Sequence, residues 1–203
     1  MYPPVIEKLI RHFSKFPSIG PRTATRFAFY CLNANSSEIS ELINTLKELK
    51  KSVKLCNICF RSVSSEKALC SVCSDKKRSH NTICAVEKET DLLSVEKTNN
   101  YEGIYFILGG TVSPLKKEDF RGVRVAELEE RIKDYKKFGL PKIEEIIIAT
   151  NQNTEGEATA IYLERILKNL DVKITRLGRG LSTGSELEYA DEETLSFALK
   201  GRK

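Results

Sequence analysis

Tryptophan is absent from the chain, and among its 203 residues there are only 11 glycines and 6 prolines. Counts this low exclude collagen-like and low-complexity architectures. No apolar run approaches the roughly 20 residues that a membrane-spanning helix needs. The opening Met1-Tyr2-Pro3-Pro4 lacks the apolar stretch of a secretory signal, so a cytoplasmic location is expected. No Gly-x4-Gly-Lys-Ser/Thr loop offers a nucleotide-phosphate cradle, and no internal repeat has a solenoid period. The apolar share, 40%, is enough to bury a sizeable core and argues against disorder. The length suits one ordinary domain plus one or two small modules.

Charge is unevenly placed. Residues 1–78 hold 14 lysines and arginines against 6 acids, a balance of +8, whereas residues 79–203 hold 19 against 22, a balance of −3. Either the N-terminal third faces a polyanion, or short surface-rich modules carry solvated lysines. The six cysteines, in a cytoplasmic setting, point to metal or redox chemistry before structural disulfides.

The first segment has the period of helices. Ile6, Leu9, Ile10 and Phe13 fall at i, i+3, i+4, i+7, and so do Ala24, Phe27, Ala28 and Cys31. Between them, Phe16-Pro-Ser-Ile-Gly-Pro21 predicts a tight turn, with Gly20 free to take an unusual backbone conformation and Pro21 opening the next helix. A third helix carries Ile39, Leu42, Ile43, Leu46 and Leu49 on one stripe, after a capping-box-like start at Asn35 to Glu38. From about residue 80 the period alternates. Strands are expected at Thr82–Glu87, Ile104–Leu108, Ile143–Thr150 and Val172–Leu177. Helices are expected over residues 125–138 and around Leu163, Ile166, Leu167 and Leu170. Alternation of this kind predicts a mostly parallel α/β sheet.

Cys56-x2-Cys59 and Cys70-x2-Cys73, ten residues apart, form the strongest local signal. Two residues between paired thiolates let both sulfurs face one ion, and two such knuckles complete a tetrahedral set with no open position. One structural zinc per chain is therefore expected, supplying much of the folding free energy of a segment poor in apolar residues. An iron–sulfur site or a redox dithiol are the alternatives. Cys31 and Cys84 lie on apolar faces and read as small core residues.

Phe16-Pro-Ser-Ile-Gly-Pro-Arg22-Thr-Ala24 resembles the helix–hairpin–helix motif of sequence-independent DNA binders. A turn leading into a helix N-terminus presents N–H groups and partial positive charge to a phosphate. Arg22 and Arg26, one turn apart and opposite Ala24, Phe27, Ala28 and Cys31, are the candidate DNA contacts. They would position a duplex without reading bases. An ordinary αα-hairpin with solvated arginines is the competing reading.

Thr150-Asn151-Gln-Asn153-Thr-Glu155-Gly-Glu157 resembles the second motif of the Toprim domain, where Asp-x-Asp precedes Glu-Gly-Glu, and Glu87 stands where that domain's first-strand Glu would be. Clustered carboxylates at strand ends bind Mg²⁺ and support phosphoryl transfer. Neutral Asn151 and Asn153 lack that charge, so the expectation is a Toprim fold without Toprim catalysis. The plainer reading is a strand-to-helix turn with acids at a helix N-terminus.

With Leu108-Gly-Gly-Thr-Val-Ser-Pro-Leu115, Thr150–Ala160 and Thr175-Arg-Leu-Gly-Arg-Gly-Leu…Glu188-Tyr-Ala-Asp191, nearly the whole chain resembles the RecR family of bacterial recombination mediators. It departs from that family in Asn153, where Thr is common, and in a slightly longer loop between the knuckles. The resemblance implies an α/β protein in four parts: a helix–hairpin–helix region (1–54), a four-cysteine zinc finger (55–78), a Toprim domain (79–174) and a C-terminal oligomerisation tail with a Walker B-like stretch (175–203). It also implies a tetrameric ring that encircles DNA without catalysis. That ring would act with RecO or RecF to replace single-strand-binding protein by RecA recombinase in DNA repair. By position, Arg22 and Arg26 would contact DNA, Cys56, Cys59, Cys70 and Cys73 would hold zinc, and the Toprim acids Glu87, Glu155 and Glu157 would meet the protein partner. Two other classes remain open: a nicking or topoisomerase-like enzyme, which the missing Asp pair opposes, and a zinc-ribbon adaptor that binds only protein.

Overall fold

The computed structural model describes residues 2–112 and 122–202. The Ser113–Leu115 end of the Leu108–Leu115 string lies outside the described residues. The chain divides into two compact units, Met1–Val53 and Lys54–Lys203.

The first unit consists of α1 (Pro4–Phe13), α2 (Pro21–Asn33) and α3 (Ser36–Ser52). α1 and α2 pack together over Ala24 and Ala28, which are buried, because only small side chains let two helices approach this closely. Aromatic edges close the hairpin: Phe13 meets Phe27 at 5.7 Å and Tyr2 meets Phe29 at 5.3 Å between ring centroids. The turn differs from expectation. Gly20 has an extended backbone (φ −81°) and precedes Pro21 at the start of α2, while Ser18 enters the left-handed region at φ 61°. The short Ser18 side chain tolerates that conformation, and the Ile19 N–H closes the turn on the Phe16 carbonyl at 3.1 Å. At α3, the Asn35 side chain accepts the Glu38 N–H at 2.8 Å, one half of the expected capping box.

In the second unit a two-stranded sheet, β1 (Val53–Leu55) with β2 (Ser62–Ser64), and the short α4 (Ser71–Ser74) frame the cysteine segment. β3 (Ser79–Val86), α5 (Glu89–Glu96), β4 (Gly103–Ile107), α6 (Val125–Lys133), β5 (Glu145–Ala149), α7 (Thr154–Leu167), β6 (Lys173–Arg176) and α8 (Glu192–Lys200) follow. The larger sheet is parallel throughout, in the order β4-β3-β5-β6. Both faces of β3 and β4 are covered, since consecutive residues Ile83–Val86 and Ile104–Ile107 are buried, and the two strands read as continuous apolar runs. From β3 the chain crosses to one side for β4 and to the other for β5, so a crevice opens between the carboxyl ends of β3 and β5.

One further expectation needed correction. The helix predicted over residues 125–138 ends at Lys133; Asp134 leaves helical geometry (φ −108°, ψ 37°), and Tyr135–Phe138 tightens into a 3-10 turn stopped by left-handed Gly139. The cysteine segment, too poor in apolar residues for a core of its own, is not self-contained. It docks on edge strand β4, where the Ile107 N–H donates to the Cys59 carbonyl at 2.9 Å and the Phe60 and Phe106 rings meet at 5.3 Å. An exposed parallel edge is thereby covered.

Candidate functional site

Three places carry the chemistry foreseen in the sequence. In the first unit, Arg22 and Arg26 are both exposed on α2, and its first turn contains no acid to neutralise them. Of the residues assigned to the opposite face, Ala24 and Ala28 are buried, whereas Phe27 is 41% exposed and Cys31 half-buried. A Cβ built on Gly20 would meet nothing within 4 Å, so the backbone before the helix N-terminus is open to approach.

The four cysteines converge. Their sulfurs all lie within 4.8 Å of one another, and each cysteine is at most 3% exposed. Each knuckle is folded by its own backbone: Phe60 N–H donates to the Cys56 carbonyl, with Phe60 left-handed at φ 63°, and Ser74 N–H donates to the Cys70 carbonyl. Backbone N–H groups also point at sulfur, from Cys70 to Cys56 Sγ at 3.3 Å, from Cys73 to Cys70 Sγ at 3.4 Å and from Arg61 to Cys59 Sγ at 3.5 Å. Such donors favour thiolates. The Cys59 and Cys70 sulfurs lie 3.5 Å apart, within hydrogen-bond reach. Hydrogen bonding from Cys59 holds Cys56 far below the ordinary thiol value. At Cys70 the bond with Cys56 works upward, but those with Cys59 and Cys73 outweigh it and hold the thiol at about 6. Cys59 and Cys73 are pushed up, chiefly by their bonds to Cys56. Four buried sulfurs, from two knuckles and at this spacing, fit a tetrahedral metal ion. Cys84 is separate: burial among core residues pushes its thiol up to about 12.

At the carboxyl ends of β3 and β5, which pair Val86 with Ala149, Glu87 meets Asn151. The Glu87 carboxylate is 2% exposed. Its Oε1 accepts the Asn151 backbone N–H at 2.7 Å, and its Oε2 accepts the Asn151 side-chain amide at 2.6 Å. The crevice that commonly receives a ligand in such sheets is thus filled by the protein's own amide. Gly156 makes this possible, because a Cβ there would sit 2.1 Å from the Asn151 carbonyl oxygen and 2.8 Å from Glu87 Oε1. Asn153 caps α7 by accepting the Gly156 N–H at 2.8 Å. The two asparagines that replace the Toprim-type aspartates therefore have positions of their own, one locking Glu87 and one starting a helix.

The predicted acids do not form one cluster. Glu87 faces inward, Glu155 is exposed, and Glu157 is paired with Arg176 at 2.7 Å and with Arg179. The Arg176 hydrogen bond holds the Glu157 carboxyl below its usual range, and Arg176 in turn is raised by its bidentate bond to Glu164. Sequence reasoning quoted Arg176 and Arg179 within a string but gave them no role. Arg179 and Asp191 also border a cavity of about 500 Å³ with Gln152, Gly178, Gly180, Glu193, Thr194 and Phe197. In the Glu188–Asp191 stretch, Asp191 caps α8 by accepting both the backbone N–H and the hydroxyl of Thr194, each at 2.8 Å. Sequence reasoning also passed over Arg131, buried within α6; its place on the apolar stripe beside Leu128 and Ile132 was the available signal.

Comparison with known proteins follows the same division. Residues 6–50 match the family model described as RecR, helix-hairpin-helix, residues 81–178 match the Toprim domain, and residues 180–203 match the model described as RecR, C-terminal. The chain is 43% identical over 202 residues to recombination protein RecR of Bifidobacterium animalis subsp. lactis, an alignment covering 100% of this chain and 97% of that one. It is 42% identical over 198 residues to recombination protein RecR of Dehalococcoides mccartyi, covering 98% and 93%. With recombination protein RecR of Clostridium perfringens it shares 41% over 201 residues, covering 99% and 97%. Among the described residues, no helix is long and apolar enough to cross a membrane.

Proposed function

The chain belongs to the RecR family of recombination proteins, and from that premise we propose that it is a non-catalytic, DNA-binding recombination mediator of the cytoplasm and nucleoid. In this reading several copies close into a ring, a tetramer, around DNA. The ring works with RecO or RecF to load RecA onto DNA coated by single-strand-binding protein. Exposed Arg22 and Arg26 hold phosphates beside the open Gly20 backbone, so binding is independent of sequence. Cys56, Cys59, Cys70 and Cys73 hold one zinc ion, whose four protein ligands leave no position for a substrate. A metal there supplies folding free energy and fixes the finger on the β4 edge. The functional parts are residues 1–54, 55–78, 79–174 and 175–203. The protein partner is met on the Toprim surface, where Glu155 and Glu157 face outward and Glu87 contributes from within by fixing the loop that carries them.

The observation that carries the non-catalytic reading is the closed Glu87–Asn151 pair. Both carboxylate oxygens are engaged at 2.6–2.7 Å, and the aspartates that would complete a Mg²⁺ site are asparagines. The test is incubation of purified protein with supercoiled DNA and Mg²⁺ or Mn²⁺. Neither nicking nor relaxation is expected. Cleavage that disappears in Glu87→Gln would overturn the reading and restore the nicking-enzyme class.

A further inference from the structure

Arg131 is 3% exposed, and its Nε and Nη1 have no hydrogen-bond partner among the described residues. Rings from three elements surround it. Its guanidinium carbon lies 3.5 Å from the ring centroid of Phe138 in the 3-10 turn, 5.6 Å from that of Phe60 in the cysteine segment and 6.0 Å from that of Phe106 on β4. The adjacent Glu130 is turned to Lys137 at the surface. Arg124 brings a second guanidinium to 4.7 Å from the Phe60 ring, where it donates to the Ile107 carbonyl at 3.0 Å. Ring faces answer only part of the cost of burying a charge, and here two like charges share one ring. The cysteine segment joins the sheet at this same place. Its Cys59 carbonyl accepts the Ile107 N–H, whereas the next amide, that of Leu108, donates inward to Val86 of β3. The segment's other ties lie at its margins, from the Ser62 N–H to Glu89 at 3.0 Å and from Arg78 to Glu96 at 2.7 Å.

We propose that the Arg131 cage is a release joint, at which the cysteine segment leaves the β4 edge while the sheet stays folded. Opening lifts the Phe60 ring from the cage and returns a buried guanidinium to water. The unmet charge therefore raises the energy of the docked state and leaves the open one untouched. Opening also uncovers the outward-facing backbone of β4, an edge that the segment otherwise protects.

The test is amide hydrogen exchange on the full-length protein, with zinc present throughout and rates corrected for their intrinsic values. Ile107 and Leu108 are adjacent, but undocking alone frees the first, and the second is freed only when β4 parts from β3. In wild type Ile107 should exchange about 10-fold or more faster than Leu108. Arg131→Met, neutral and of similar length, should slow Ile107 by about 10-fold and leave Leu108 unchanged, because an apolar side chain in place of a buried charge is often stabilising. Arg131→Lys keeps the charge as a more strongly hydrated ammonium and should speed Ile107. Phe138→Leu removes the nearest ring and should speed Ile107 more in wild type than in the Arg131→Met background. Ile107 and Leu108 exchanging together in wild type would overturn the inference, because the segment then opens only with the sheet. So would Ile107 exchanging in Arg131→Met as fast as in wild type or faster, or an Arg131→Met that does not fold, since each assigns Arg131 to holding the docked state.

Discussion

Replacing Asn151 by leucine keeps the approximate volume of the side chain and removes the amide that donates to Glu87 Oε2 at 2.6 Å. The backbone N–H at 2.7 Å stays, so the carboxylate loses one of two donors. Glu87 itself is 2% exposed, and a leucine at residue 151 offers its carboxylate no donor. A hydrogen bond to a charged group contributes about 1.5–3 kcal/mol, and leaving that group unsatisfied while buried costs the upper part of the range. Taking about 2 kcal/mol, and ~3 °C per kcal/mol for a unit of this size, the melting temperature should fall by about 6 °C. Circular dichroism at neutral pH measures it. Glu87→Gln and the double variant complete a cycle in which the two losses should not add, because both remove the same contact. Mg²⁺ should leave the wild-type melting point unmoved, since a site with no free oxygen gains nothing by mass action. Asn151→Leu melting with the wild type, or a Mg²⁺-dependent rise in wild type, would refute the claim that the amide occupies the cation's place.

Cys59→Ser should lose zinc on elemental analysis and free the 55–78 segment to proteolysis, because three thiolates hold the ion far more weakly than four. Through the Ile107–Cys59 bond, hydrogen exchange at β4 should rise as well. Glu157 is held below its ordinary value of 4.5, chiefly by Arg176, so the pair's stabilisation is present above that value and is lost as pH falls through the lower folded value. Arg176→Gln should therefore lose stability at neutral pH and show a shallower acid limb below pH 4.5 in a denaturation series. Gly20→Ala should fold as wild type, since its Cβ meets nothing, yet bind duplex more weakly where a phosphate needs close approach. Equal melting curves with unequal gel-shift affinities are the expected pair of results.

The parts of the fold that follow a local period were legible in the sequence. β3 through β6 were found within a few residues, because a parallel sheet covered on both faces leaves apolar runs such as Ile146–Ala149. The doubled Cys-x2-Cys spacing foretold the convergence of the four sulfurs. Features set by distant residues were not legible. Ser18 takes the left-handed conformation that Gly20 could have taken, because the turn's closure between Phe16 and Ile19 decides which residue bends. α5 escaped notice because Leu92 alone is buried on it, leaving no stripe. The substitution of Asn for Asp at residue 151 could be read as a loss of charge, but its positive role depends on Glu87, 64 positions away. Arg131 likewise has no meaning without the rings of Phe60, Phe106 and Phe138, contributed by three separate elements.

A salt titration of duplex binding, wild type against the double variant Arg22→Ala, Arg26→Ala, tests the mediator reading most directly, with native mass and zinc content measured in parallel. Each arginine removed deletes one phosphate contact per subunit, so the slope of log K against log[salt] should shrink by about 0.9 per contact, multiplied by the subunits that touch the duplex. Binding at physiological salt should nearly vanish, while oligomer mass and zinc stay at wild-type values because both side chains are exposed. A double variant that keeps wild-type affinity and slope would contradict the account and make the hairpin a structural element.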